Sequence, residues 1–254
     1  MNTTQTQSSN PSAKLGWSEK LGYAAGDMAS CLYFGIFMNF MAIFYTDVFG
    51  LTPAVLATML LFARTWDWIN DPIMGAIADR TNTKMGKFRP WILWMIVPYM
   101  ILGVLTFTTF DLSNTGKIVY AYATYTLLMM VYTAINVPYG ALMGVMTARS
   151  DQRTILASYR FVGANAGIFL VTLLLPMLVK SIGDGNEQVG YSGAMMVLAC
   201  CAGALFFITF KTSQERIQPV KESRKPIMQE FVSQIGRAHV RTPVTEKSRM
   251  PSSA

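Results

Sequence analysis

Three ionisable residues stand in one apolar run, Leu61-Phe62-Ala63-Arg64-Thr65-Trp66-Asp67-Trp68-Ile69-Asn70-Asp71-Pro72. Arg64, Asp67 and Asp71 recur at i, i+3 and i+7, which puts them on one face of a helix. A charge at the centre of a bilayer costs roughly 2.5–3.5 kcal/mol on insertion scales. Three such residues on one stripe therefore point to a polar cavity inside the protein. A hard cation such as Na+ prefers carboxylate oxygens, so Na+ can sit at Asp67 and Asp71. A proton carrier needs a carboxyl group held in a setting where its neutral form is favoured. The pair suits either task, and Arg64 can act as its charge partner. The alternative is a buried ion-pair cluster that only orients helices.

Other residues suit recognition of a small polar molecule. Asp27 stands in the first apolar run with Ser30 and Cys31 beside it. It suits a substrate or ion ligand, or a half-buried group near a helix end. Tyr125, Tyr132, Asn136 and Tyr139 share one side of a helix. Their rings can stack on the apolar face of a sugar while hydroxyls and an amide bond its hydroxyl groups. An ordinary packing stripe is the competing explanation. Arg160 opens a later run, where it binds a substrate hydroxyl or carboxylate or extends to the membrane surface. Between two runs, Gly75-Ala76-Ile77-Ala78-Asp79-Arg80 leads into Lys84 and Lys87. An acid at a helix end followed by bases can latch to a neighbouring helix end and gate that side. Alone, the same pattern is a topology signal.

The elements that must carry these residues are membrane helices. The chain has 254 residues, 52% of them hydrophobic and only 14% charged. Its mean hydropathy is +0.34. Soluble domains carry about 25% charged residues, so composition excludes an ordinary cytosolic enzyme and a disordered chain. A hydrocarbon core of about 30 Å needs about 20 apolar residues as helix. Six segments reach that length, at 21–46, 52–78, 90–110, 118–146, 156–181 and 191–210. The expected class is an all-α membrane protein with six transmembrane helices. Residues 1 to 13 are polar and do not resemble a cleavable export signal. Gly22/Gly26, Gly140/Gly144 and Gly163/Gly167 have the spacing that lets helix backbones approach in lipid.

Loop charge predicts the orientation. Lys14, Lys20, Arg80, Lys84, Lys87, Arg89, Arg149 and Arg153 fall in one set of connections, joined by Lys211, Arg216, Lys221, Arg224 and Lys225 after the sixth segment. The opposite set carries Lys117 and Lys180. Basic residues stay on the cytoplasmic side, so both ends are expected there, in a multi-pass protein of the plasma (inner) membrane. The formal charge of +7 is read as this bias. No continuous basic stripe suggests nucleic acid. Cys31, Cys200 and Cys201 lie in apolar runs without metal-ligand spacing and are read as packing residues.

Taken together, the motifs identify a family. Arg64-x-Trp66-Asp67-x-Ile69-Asn70-Asp71-Pro72-x-Met74-Gly75, followed by Gly86-Lys87-Phe88-Arg89-Pro90-Trp91, resembles the glycoside–pentoside–hexuronide:cation symporters of the major facilitator superfamily. Tyr45-Thr46-Asp47-Val48-Phe49-Gly50-Leu51 and Asn136-Val137-Pro138-Tyr139-Gly140-Ala141-Leu142 fit the same family, and the likeness runs from about Lys20 to about Arg216. Gly75 to Lys87 is similar to the superfamily's cytoplasmic loop motif. The resemblance implies a cation site at Asp67, Asp71, Asn136 and Thr133. It implies a sugar or glycoside site that includes Arg160 and Asn136, beside Tyr132 and Asp27. In the melibiose-carrying members a first-helix aspartate aligns with Cys31, and an aspartate serving both ligands aligns with Asn136. Those departures leave Na+ or H+ open and argue against melibiose. No cofactor is expected beyond the coupling ion.

The family has twelve spans in two halves, so the expectation here is an N-terminal half of a twelve-helix transporter, with the C-terminal six-helix half missing. Residues 1–19 are expected as a cytoplasmic tail, 20–211 as the bundle and 212–235 as the start of a central loop. Residues 236–254 resemble translated sequencing-adapter read-through and are expected to be non-native, with His239 given no role. Two other functions compete. One is a six-span channel, or a half-transporter subunit that pairs with a separately encoded half. The other is an intramembrane enzyme, against which no Ser–His pair, HExxH or Gly-x-Ser-x-Gly pattern appears.

Overall fold

The structure, a computed structural model, describes residues 14–217. The polar start of the N-terminal tail lies outside the described residues. So do the central-loop residues from 218 onward, with Lys221, Arg224 and Lys225, and the 236–254 tail with His239.

Several helices start where the chain supplies a cap or a proline. α1 (Trp17–Asn39) follows Gly16, whose amide donates to Glu19 Oε2 at 2.9 Å. The short α2 (Met41–Ile43) leads into a π-helix, Phe44–Val48. α3 (Pro53–Arg80) opens on Pro53 behind the Thr52 hydroxyl, which accepts from Val55 N. That arrangement uses a residue without an N–H where no helical partner exists. α4 (Arg89–Thr106) likewise has a proline in its first turn. α5 (Asn114–Met146) is capped by Ser113. α6 (Ser150–Gly183) ends on Asp184 in the left-handed region at φ 43°. α7 (Glu187–Thr212) is capped by Asn186. The only β pairing among the described residues is an isolated bridge from Thr83 to Gly86.

The helices follow the expected apolar segments, with differences at the first and the second. The first segment is not a single rod: it breaks at Phe40 and bends by 57°. Burial of aromatic residues accounts for the break. Phe44 packs against Phe107 at 4.8 Å and Tyr191 at 5.2 Å, ring centre to ring centre, and Tyr45 is buried beside it. Filling that cluster re-aims the chain more than a straight helix would allow. Four helices, α4 to α7, are long and apolar enough to cross a membrane, and the bent pair makes up to five. α3 has 28 residues, about 42 Å at 1.5 Å per residue. Its charged stripe keeps it from meeting the same apolar standard.

Close packing centres on α1, which lies against α6 and α7, while α5 joins α3 to α4. Two of the three glycine pairs make these approaches. A Cβ on Gly163 would stand 2.4 Å from Ala24 O, and one on Gly26 would stand 2.5 Å from the Tyr139 ring. Gly140 and Gly144 differ, since a Cβ on either would meet nothing within 4 Å among the described residues.

Candidate functional site

A cavity of about 440 Å³ opens between α1, α2, α3 and α5. The α1 and α2 side of the lining is apolar, with Phe34, Phe37, Met38 and Met41, and Met129 of α5 adds to it. The other carries Arg64, Asp67, Asp71, Tyr125, Tyr132 and Thr133. The i, i+3, i+7 stripe thus faces one cavity with two carboxylates against one guanidinium. Arg64 forms no ion pair with either acid among the described residues, whose ion pairs are Lys87–Asp79, Arg149–Asp151, Arg160–Asp27 and Arg216–Glu19.

The two acids are held differently. Thr133 Oγ1 donates to Asp71 Oδ1 at 3.0 Å, from a hydroxyl that is itself buried. Asp67 Oδ1 is buried without a hydrogen-bond partner, and so are Trp66 Nε1 and Asn70 Nδ2. A buried carboxylate oxygen without a donor is costly unless a cation or proton compensates it. Asn70 received no role in the sequence analysis. Its position three residues after Asp67, on the same face, was the available signal. No three His, Cys, Asp or Glu side chains come together among the described residues; the side-chain oxygens lining the cavity are those of Asp67, Asp71, Tyr125, Tyr132 and Thr133. Pro72 has no N–H, which leaves the Trp68 carbonyl without its helical donor beside Asp71.

Asp27 and Arg160 meet across the α1–α6 contact. Arg160 Nε donates to Asp27 Oδ2 at 3.2 Å and Nη2 donates to Oδ1 at 3.1 Å. The guanidinium lies over the Tyr139 ring at 5.0 Å and the Tyr23 ring at 5.8 Å. Those rings stack with centroids 4.6 Å apart, and each hydroxyl donates to the other's backbone carbonyl. Asn136 accepts from Ser30 Oγ at 2.8 Å and donates to Tyr132 O at 2.9 Å. Neither Asn136 nor the Asp27–Arg160 pair lines the cavity that holds Asp67 and Asp71. Thr133, Asn136 and Tyr139 nonetheless follow one another on α5 at successive helical turns.

The loop motif closes on itself and on a residue far along the chain. Gly75 sits in α3 beside Val137, and Asp79 and Arg80 end that helix. Asp79 pairs with Lys87 at 2.8 Å, so the acid latches within its own loop, and Lys84 is exposed at the loop's tip. Glu215 then accepts from the amides of Lys87, Phe88 and Arg89 at 2.8, 2.8 and 2.9 Å. A carboxylate at a helix N-terminus satisfies donors that have no helical partner and meets the positive end of the dipole. Gly86 has φ +112°, and a Cβ there would stand 2.6 Å from the Glu215 carboxyl carbon. Arg89 donates to Phe210 O at 2.8 Å. Arg216 pairs with Glu19 at 2.6 Å, both side chains nearly buried, and donates to Met146 O. Glu19, Glu215 and the pairing of Arg216 with Glu19 are not legible in the sequence, because each acid meets its partner from a distant stretch of chain.

A family model described as MFS/sugar transport protein matches residues 22–238. The chain is similar to the inner membrane symporter YicJ of Escherichia coli (strain K12), with 46% identity over 204 residues, covering 80% of this chain and 44% of the relative. It has 46% identity over 203 residues to the putative glycoside/cation symporter YagG of the same strain, with 80% and 44% covered. To the isoprimeverose transporter of Lactiplantibacillus pentosus it has 35% identity over 214 residues, with 83% and 44% covered. The chain spans about half the length of the curated relatives it matches.

Proposed function

The chain belongs to the MFS/sugar transport protein family, and from that premise we propose that the intact protein is a cation-coupled symporter for a sugar or glycoside. The relatives are named as transporters and not as enzymes. The helices support a multi-pass membrane protein. The finer reading takes α3 as a sixth span whose charged face turns to the cavity, with both ends of the bundle cytoplasmic. The six helices then form one half of an alternating-access transporter, completed by a second half.

One observation carries the reading: two carboxylates on α3 line one cavity, one tied to a buried hydroxyl and one with an unpartnered buried oxygen. A cation, Na+ or H+, compensates Asp67 and Asp71 beside Thr133. Arg64 offsets part of the charge while the site waits. With the acids neutralised, the α3–α5 contact tightens and Tyr132, Asn136 and the Asp27–Arg160 pair order around the sugar. The halves then rock, and both ligands leave on the cytoplasmic side. The Gly75 to Lys87 loop, clamped by Glu215, keeps the ends of α3 and α4 together during that motion. The test is uptake of radiolabelled isoprimeverose by proteoliposomes of the full-length protein, under an imposed Na+ or proton gradient. Uphill accumulation under one gradient is expected. Uptake that only equilibrates under both gradients would overturn the coupled mechanism.

A further inference from the structure

The break at Phe40 lies at the carboxylate cavity. Phe34, Phe37 and Met38 before the break, and Met41 and Ala42 after it, belong to the same lining as Asp67 and Asp71. The angle at Phe40 therefore sets the shape of that lining. Beyond Ala42 the chain enters the π-helix, a form frequent at functional sites. Phe49 N donates to Phe44 O, and Leu51 N reaches back to Tyr45 O across Gly50, which is left-handed at φ +85°. The carbonyls of Val48 and Phe49, at the end of the segment, are met by side chains from two other helices.

Gln188 Nε2 donates to Val48 O at 3.3 Å, and Lys117 Nζ donates to Phe49 O at 3.4 Å. The Lys117 ammonium also lies 5.9 Å from the centre of the Phe49 ring. Lys117 falls in the first turn of α5 and Gln188 in the first turn of α7. A cation in a helix's first turn opposes that helix's own dipole, whereas one at a C-terminal end is favoured. Lys117 is thus unfavourable for α5 and serves the end of the first segment instead. Gln188 is exposed and Lys117 half-buried, and both bonds are at the long end of the usual range. Such bonds break and re-form readily. The rings beneath them, Phe44, Tyr45 and Phe49, are fully buried and supply a fixed seat.

We infer that Lys117 and Gln188 form a releasable latch that holds the stretch from Met41 to Phe49 at the angle that narrows the carboxylate cavity. The latch ties the starts of α5 and α7 to a lining on the far side of the break. Releasing either bond lets the stretch pivot at Phe40 on its aromatic seat and widens access past Met41 and Ala42. The latch stands on this geometry and requires no particular sugar or ion.

The experiment measures the rate at which N-ethylmaleimide labels the full-length protein, purified in detergent as a monodisperse fraction with its native cysteines replaced by serine. Ala42→Cys reports access to the cavity lining. Asn82→Cys, exposed in the loop after α3, is the control at the opposite end of the bundle. Lys117→Met and Gln188→Met keep the side-chain length and remove the donor. Each should speed labelling in the Ala42→Cys background about fivefold, the worth of one ordinary hydrogen bond, and leave labelling in the Asn82→Cys background unchanged. Lys117→Arg, which keeps charge and donors, should return the rate close to that of the parent. If Lys117→Met folds poorly, Gln188→Met at its exposed position still decides the matter. A merely structural role predicts a lower thermal midpoint with the Ala42→Cys rate unmoved, or equal acceleration in both backgrounds. Either result would overturn the latch.

Discussion

The Thr133 hydroxyl on α5 lies 3.0 Å from Asp71 Oδ1 on α3, and this bond ties the carboxylate stripe to the helix that carries Tyr132, Asn136 and Tyr139. Whatever compensates Asp71 therefore acts on α5 as well. Hydrogen bonds to charged groups contribute about 1.5–3 kcal/mol each, enough to change a binding constant by tenfold or more. On the proposed reading, the cation and the sugar would meet the same helix.

Thr133→Val removes that hydroxyl and keeps the branched shape. It should weaken cation activation of uptake about tenfold or more, measured as the half-saturating ion concentration, and Thr133→Ser should restore it. An unchanged ion dependence in Thr133→Val would remove Thr133 from the cation site.

Glu215→Ala leaves three amides at the start of α4 without their acceptor. Purified full-length protein should lose about 1–3 kcal/mol of stability, read as a lower thermal midpoint. Glu215→Gln should lose less, because its amide oxygen still accepts. Equal midpoints for wild type and Glu215→Ala would show that the clamp contributes nothing to the fold.

The glycine pairs should separate cleanly. Gly163→Ala drives a methyl group against the Ala24 carbonyl, and overpacking of this kind typically costs 1–3 kcal/mol. Gly140→Ala meets nothing within 4 Å among the described residues and should be neutral or stabilising by roughly 0.5–1 kcal/mol from helix propensity. Membrane abundance and thermal midpoint of the two variants check both halves of this expectation.

Orientation can be read by labelling. In a background with Cys31, Cys200 and Cys201 replaced by serine, a cysteine at Asn114 should react with an impermeant maleimide added to intact cells. A cysteine at Thr83 should react only after the membrane is opened. The reverse pattern would place the basic loops outside.

Much of this was legible before the structure, and the reasons are physical. Arg64, Asp67 and Asp71 stood out because charges in an apolar run are costly, and their spacing alone placed them on one face. The six apolar segments fall on helices, the first of them broken, because apolar length is set by composition over one stretch of chain; four of the helices, or five with the bent pair, are long and apolar enough to cross a membrane. Contacts between distant stretches were not legible. Glu215 capping α4 and Glu19 meeting Arg216 depend on how α7 ends against α1 and the 81–88 loop. The break at Phe40 comes from an aromatic cluster assembled from α4, α7 and the π-helix, which local pattern cannot reveal. Gly140 and Gly144 share the spacing of Gly163 and Gly167 but face no neighbour among the described residues, so spacing alone overstated their role. The resemblance places Asn136 among both the cation and the sugar ligands. Its hydrogen bonds in the structure run to Ser30 and to its own helix, partners that the sequence alone does not reveal.

The central claim is that Asp67 and Asp71 couple an ion to sugar movement, and its direct test is uphill accumulation beside membrane abundance for Asp67→Asn and Asp71→Asn in the full-length protein. Each substitution removes one charge with almost no change in volume. If the acids only held a buried ion pair, removing one would strand its partner at a cost of about 3–5 kcal/mol, and the protein would disappear from the membrane. Arg64 makes no ion pair with either acid among the described residues, so abundance should stay normal. Ion-driven accumulation of isoprimeverose should be lost, while downhill exchange survives in part through Tyr132, Asn136 and the Asp27–Arg160 pair. Normal abundance together with normal ion-driven accumulation in both variants would contradict the coupling role.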